Sequence, residues 1–234
     1  MAETKSQTAY RKIREMITGG TLKEDEIYSE NRISELLGMS RTPVRDAIRM
    51  LEAEETIEVF RGIGIRLRPV SSMELYELYP LRFMMEAYAL QESIRYIPAD
   101  RYDFFIGLWE KLKERIAAGE DVRATELRDL DRLTHMLFVE YSGNGTLRQL
   151  IDQLELKIDR VRTLMSEITD DDLDTADQHI EILKRMKEGN LQEAVALMEM
   201  HLYRPWKELF DRKGIDMTRL RTFASSDGIH GGKE

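Results

Sequence analysis

The sequence predicts a mainly α chain in two parts: a three-helix unit closed by a small β-hairpin, then an all-helical antiparallel bundle of six or seven helices. Three observations carry this. Between residues 30 and 51 a short amphipathic stretch ends at Gly38 and a second begins within three residues. Ile57, Val59, Ile65 and Leu67 then alternate with polar residues around Arg61-Gly62-Ile63-Gly64, the period-two pattern of a hairpin. From residue 72 to 212 apolar residues recur at helical spacing, interrupted only by short breaker-rich gaps, and no alternating pattern competes.

An opening helix over residues 7–18 places Tyr10, Ile13, Met16 and Ile17 on one face, and Gly19-Gly20 ends it. Leu22, Ile27 and Tyr28 in the following bridge are expected to pack beneath the next helices. Glu30 to Leu37 form the first of these, stopped by Gly38. Ser40 is expected to cap its successor by accepting a backbone N–H, and Pro43 is tolerated because it falls in the first helical turn. Val44, Ala47, Ile48 and Leu51 follow the three-and-four spacing of a buried stripe, while Arg41, Arg45 and Arg49 line another face. That arginine row reads either as a solvated face or as a surface for phosphates and guanine edges. A helix, a glycine turn and a second arginine-bearing helix favour the latter, because this is the helix-turn-helix pattern with the hairpin as its wing.

Pro69-Val70-Ser71-Ser72 is a breaker-rich joint. The chain is therefore divided into a DNA-binding domain over 1–68, a linker over 69–72, a helical domain over 73–213 and a loose tail over 214–234. Helices are expected at about 72–96, 98–118, 121–141, 145–168, 172–188 and 191–212, with Pro80 kinking the first or splitting it in two. The breaks fall at Pro98, Gly119, Ser142-Gly143-Asn144-Gly145, Thr169-Asp170 and Gly189-Asn190.

Composition narrows the function classes. With 42% hydrophobic and 34% charged residues the chain reads as globular. No run approaches membrane-spanning length, the N-terminus lacks an apolar signal region, and zero cysteines leave no disulfide or thiolate metal site. A cytoplasmic protein is expected. The net charge of −9 belongs wholly to the second part, since residues 1–70 balance 12 basic against 12 acidic side chains. A nucleic-acid surface here needs only the local arginine face.

Four histidines occur, and three lie in the expected helices; His230 lies in the tail. Asp131 and His135 are four apart and project from one helical face. His179 and His201 flank the Gly189-Asn190 turn at nearly equal distances, so antiparallel helices bring them level. Three imidazoles and one carboxylate facing a common interior suit a first-row divalent cation, the alternative being separate core or surface residues. Arg82 is either a bidentate clamp for a carboxylate ligand or the partner of Glu86 one turn on. Asn144 is read as a helix cap, Trp109 and Trp206 as packing. The acidic run Asp170-Asp171-Asp172-x-Asp174 lacks the glycine and distal glutamate of a calcium loop, and is read as a solvated helix start.

Two resemblances extend this reading. Residues 8–68 resemble the winged helix-turn-helix domain of the GntR family of bacterial transcription regulators, with Ser40-Arg41-Thr42-Pro43-Val44-Arg45-Asp46-Ala47-Ile48 matching the recognition-helix motif. Glu24-Asp25 stand where the family usually has Pro-Gly, with Asp expected to tolerate a left-handed turn there; Asn31 replaces a frequent arginine, and Arg32 follows it. Residues 72–212 resemble the FCD effector-binding domain of the FadR branch of that family. The match rests on Arg82, Glu86, Asp131-x-x-x-His135, the Ser142-Gly143-Asn144 turn, His179 and His201, with Thr134 where phenylalanine is common.

The resemblance implies a metabolite-responsive regulator, of repressor type, that binds a pseudo-palindromic double-stranded DNA operator as a homodimer. It implies DNA contacts from Arg41, Thr42, Arg45, Arg49, Arg32 and the Gly62 wing backbone. It further implies a divalent metal on Asp131, His135, His179 and His201, with zinc expected first and nickel or manganese as alternatives. A small organic acid would complete the metal's coordination, held by Arg82. No catalytic residue is expected. A metal-dependent hydrolytic enzyme and a direct metal-ion sensor are the competing classes.

Overall fold

The computed structural model describes residues 3–166 and 172–214. It contains two compact units: residues up to Ser71 together with Leu154–Thr163, and Ser72–Gln153 together with residues from Leu164 on.

The first unit holds α1 (Lys5–Thr18), α2 (Glu30–Leu37), α3 (Arg41–Ala53), β1 (Ile57–Phe60) and β2 (Gly64–Leu67). Helix α1 begins two residues earlier than its apolar periodicity suggests. Thr4 and Gln7 close a reciprocal capping box, satisfying two N–H groups that would otherwise lack partners. Ser29 caps α2 by accepting the Arg32 N–H at 3.2 Å. Gly38 ends α2 in the left-handed region at φ 61°, a conformation costly for a residue with a Cβ.

The expected cap at Ser40 is not made. Ser40 has the extended backbone of an N-cap residue, but its hydroxyl accepts no cap bond. Of the two helical residues that can donate to a cap, the second and the third, the third here is Pro43, which has no N–H, so Thr42 alone could serve.

Ile13 and Ile17 from α1, Ile33 from α2, Val44, Ala47, Ile48 and Leu51 from α3, and Ile57, Ile65 and Leu67 from the hairpin form one core. Leu156 joins it from the Leu154–Thr163 stretch. The strands pair antiparallel with Ile57 opposite Leu67 and Phe60 opposite Gly64. Tyr28 adds a third, single-residue rung, exchanging backbone bonds of 2.8 and 2.9 Å with Ile65. Tyr28 and Leu22 are buried as expected, but Ile27 is 45% exposed, because neighbouring positions of an extended segment point to opposite sides. Asp25 is not left-handed; Glu55 is the one non-glycine residue with positive φ among those described. The Glu24-Asp25 turn therefore forms without the left-handed backbone expected at Asp25.

The second unit consists of α4 (Ser72–Ser93), α5 (Ala99–Ala117), α6 (Ala124–Tyr141), α7 (Gly145–Ser166, divided between the units), α8 (Asp172–Lys187) and α9 (Leu191–Lys213). Pro80 sits inside an unbroken α4, so the domain has six helices among the described residues rather than seven. Losing one backbone bond at a proline costs about 3 kcal/mol. Leu75, Leu78, Tyr79 and Phe83, buried on both sides of Pro80, hold the helix against that cost. Helix α4 packs on α6 and α9, and α8 packs on α5 and α9. Asn144 accepts the Leu147 N–H at 3.0 Å and so caps α7. The expected break at Thr169-Asp170, the pair Asp170-Asp171, the tail from residue 215 and His230 lie outside the described residues.

At Gly64 a Cβ would sit 2.3 Å from the Tyr28 carbonyl oxygen. Gly64→Ala is therefore expected to push the wing off the Tyr28 rung and destabilise the chain by about 1–3 kcal/mol, read from denaturant midpoints. An unchanged midpoint would show that the rung gives way freely.

Candidate metal centre and recognition helix

In the first unit α3 turns its buried stripe inward and presents Arg41, Thr42, Arg45 and Arg49 to solvent. Gly62 is exposed at the hairpin tip between β1 and β2. Arg45 carries a forked pairing to Glu30, the first residue of α2, through Nη2 at 2.8 Å and Nε at 3.2 Å to the same oxygen. That pairing holds the Glu30 carboxyl below the usual carboxylate range. Arg49 lies 3.7 Å from Asp46. Arg32 lies 3.7 Å from Glu26 and over the Tyr28 ring at 4.8 Å. Such exposed pairs are weak and exchangeable, so the same guanidiniums can meet phosphates or base edges. The six residues read as DNA contacts all lie on the outer surface of the first unit.

In the second unit Asp131 and His135 project from α6, His179 from α8 and His201 from α9. Their ligand atoms lie within 4.8 Å of one another. The Nε2 atoms of His179, His135 and His201 stand 3.2, 3.4 and 3.6 Å from Asp131 Oδ1, and those of His135 and His201 are 3.3 Å apart. Two donors about 2.0–2.2 Å from one ion, at tetrahedral or octahedral angles, lie about 3–3.5 Å from each other. The separations match that edge length.

The outer nitrogens fix the inner ones. His179 Nδ1 faces the Thr175 carbonyl at 2.8 Å. Because a carbonyl only accepts, Nδ1 carries the proton, and Nε2 presents a lone pair inward. His135 Nδ1 is in ion-pair contact with Glu86 Oε2, without hydrogen-bond geometry, and His201 Nδ1 faces Gln178 Oε1 at 2.9 Å. Each imidazole has an outer partner of the kind that orients a metal ligand. His179 Nε2 is buried without a hydrogen bond of acceptable geometry, although Asp131 Oδ1 is 3.2 Å away. A lone pair and a carboxylate oxygen facing each other at that distance repel unless a cation lies between them. The residues present fit one divalent ion.

Arg82 is 4% exposed and donates its Nε–H to Glu86 Oε1 at 2.7 Å. The Glu86 pairing thus exists, and it uses one of the five guanidinium N–H groups. Arg82, Glu86 and His135 form a continuous chain leading to the inner cluster. Glu86 as the ion-pair partner of His135, and Thr175 and Gln178 as partners of the other two rings, were not selected from the sequence. Of these Glu86 alone gave a signal, one turn after Arg82. Trp109, assigned to packing, lies flat against His179, with ring centroids 4.2 Å apart and planes 11° from parallel.

Comparison with known proteins agrees with this two-part layout. Residues 5–67 match the family model of bacterial regulatory proteins, gntR family, and residues 77–204 match that of the FCD domain. The uncharacterized HTH-type transcriptional regulator in the unstable DNA locus of Streptomyces ambofaciens is 28% identical over 94% of this chain and 90% of its own length. The uncharacterized HTH-type transcriptional regulator YdhC of Bacillus subtilis is 26% identical over 62% of this chain, and the match spans 64% of that relative's length. Among solved structures, that of Escherichia coli McbR/YncC superposes with a TM-score of 0.78 at 18% identity, covering 91% of this chain and all of the other, which is a likeness of fold.

Burial and charge split the three imidazoles. Burial drives His201 down to about 3, and repulsion from His179 adds to it. Burial likewise lowers His179. His135 is also penalised by burial, but the carboxylates of Glu86 and Asp131 overcome this and raise it. An ordinary histidine titrates near about 6.5, so on acidification the unfolded chain gains protons that folded His201 and His179 refuse. Where the unfolded state binds more protons, stability falls as pH falls. Metal-free protein is expected to melt at progressively lower temperature from about pH 6.5 downward, and His201→Gln to flatten that dependence. A melting temperature that holds constant or rises on acidification contradicts the assignment.

Proposed function

Because the chain belongs to the gntR family of bacterial regulatory proteins and carries an FCD domain, we propose that it is a metal-assisted, metabolite-responsive repressor of the FadR branch. It binds a pseudo-palindromic double-stranded operator as a homodimer, since a two-fold protein reads two symmetric half-sites. Arg41 and Arg45 contact base edges or phosphates, Thr42 and the Gly62 backbone assist, and Arg49 and Arg32 contact phosphates. A DNA partner puts its place of work in the cytoplasm. No helix among the described residues is long and apolar enough to cross a membrane.

The observation that carries the sensing half is the convergence of three inward lone pairs on Asp131 Oδ1, at 3.2–3.6 Å. Asp131, His135, His179 and His201 hold a divalent ion, with zinc favoured by the nitrogen-rich set and nickel or manganese as alternatives. The ion supplies open coordination sites for the carboxylate of a small organic acid. Arg82 contributes positive charge beside that acid through its remaining N–H groups. The acid changes DNA affinity only by its differential affinity for two arrangements of the protein. A hydrolytic role is disfavoured because Glu86, the position such a mechanism would use as general base, is committed to Arg82 and His135.

The test uses an operator selected from random duplex DNA, with binding followed by fluorescence anisotropy. Arg45→Ala is expected to weaken operator binding at least about tenfold with metal content unchanged; intact binding would refute the recognition-helix assignment. A panel of small carboxylic acids is then added to holo and chelated protein. Release from DNA by one acid class, only with metal bound, supports the reading. Release governed by the metal alone identifies a direct metal sensor, and protein that neither holds nor takes up metal removes the sensing half.

A further inference from the structure

Resting on the metal reading above, we propose that Trp109 and Thr134 are positioning residues that set the ring plane of His179 and thereby the affinity of the site for its ion. The hydrogen bond from His179 Nδ1 to the Thr175 carbonyl fixes the direction of the ring within its own plane. It leaves the ring free to tilt about that axis. The indole of Trp109 removes this freedom, because it lies flat against the imidazole at 4.2 Å and 11°.

The indole is in turn held at its edge. Trp109 Nε1 donates to Thr134 Oγ1 at 2.9 Å, and Thr134 Oγ1 donates onward to the Leu130 carbonyl at 2.8 Å. The hydroxyl's single proton is therefore spent on Leu130, so its lone pair must face the indole. Trp109, Thr134 and His179 are each fully buried, so no solvent competes for these contacts. The other buried indole, Trp206, has an Nε1 that meets no acceptor. An anchored indole N–H is thus a specific feature of Trp109. A phenylalanine at 134 would supply no acceptor, which gives the threonine a purpose that volume alone does not.

Stacking also carries an electrostatic consequence. Metal binding draws charge out of the imidazole and makes it more cation-like. The electron-rich face of an indole favours that state over the neutral ring. The contact is stronger in the loaded site than in the empty one, so it raises affinity as well as fixing geometry. It also makes Trp109 a reporter, because its emission senses the charge on the ring beside it.

The experiment titrates full-length, chelated protein with Zn²⁺ alone, reading affinity by competition with a chromophoric chelator. Emission is followed in a Trp206→Phe background, which leaves Trp109 as the one fluorophore of its type. Emission is expected to change saturably at one ion per chain. Trp109→Leu and Thr134→Val are expected to weaken Zn²⁺ binding about tenfold, the scale of lost outer partners, with Thr134→Ser restoring it. The conservative valine and serine variants keep the test readable if the leucine variant folds poorly. If Thr134→Val and Trp109→Leu bind Zn²⁺ like the parent protein, or Trp109 emission ignores the ion, the positioning role is wrong while the metal site stands. If the parent takes up no Zn²⁺, Ni²⁺ or Mn²⁺, both readings fall together.

Discussion

The second unit depends on one constraint: six nitrogens of three imidazoles are buried in a helical core, and each needs a partner there. Burying a polar group without one costs several times what a surface exchange does. Two outer nitrogens meet that demand with hydrogen bonds to Thr175 and Gln178, and the third, on His135, with the charge of Glu86. The inner ones cannot satisfy each other, because three lone pairs and a carboxylate oxygen converge on one point. Much of the unit follows from this. Helices α6, α8 and α9 must bring their histidines level, which the short Gly189-Asn190 turn allows. Arg82 must lie beside Glu86 to offset a second buried carboxylate near Asp131.

The first unit solves an opposite problem, placing loosely paired positive charge outside and keeping it available. Its core is closed by aliphatic residues of α1 to α3 and the hairpin, with Tyr28 sealing the wing to the bridge through backbone bonds. The guanidiniums on α3 are half-exposed and lean on Glu30 and Asp46. Those contacts order the side chains without binding them tightly, since solvent and salt screen them. A phosphate can displace a weak partner; it could not displace the partner of a buried charge such as Arg82.

The parts of this architecture set by period and breakers were legible in the sequence. Apolar spacing located the helices, Gly38 and Gly189-Asn190 located turns, and the four-residue step from Asp131 to His135 put two side chains on one face. What was missed depends on atoms rather than residue types. Ser40 looks like a cap until Pro43 is seen to remove one of the two N–H groups it could accept from. Ile27 and Tyr28 are equally apolar by composition, and the side each faces is decided by the rung Tyr28 makes with Ile65. Glu86, Thr175 and Gln178 acquire their roles through tautomers fixed across helices. Trp109 has the composition of a packing residue, and its stack on His179 exists only because α5 and α8 pack together.

These two kinds of construction divide the work of a regulator on physical grounds. A site meant to discriminate small ions and acids gains from burial, because low dielectric and fixed dipoles amplify small differences between ligands. A surface meant to find one DNA sequence among many gains from exposure, because its contacts must form and break quickly and respond to salt. Under the proposed function, the buried histidines take the first task and the solvated arginines the second. The even charge balance of residues 1–70 and the net −9 of the rest follow the same division. In the proposed function, the acidic second part repels nucleic acid and leaves binding to the arginine face of the first.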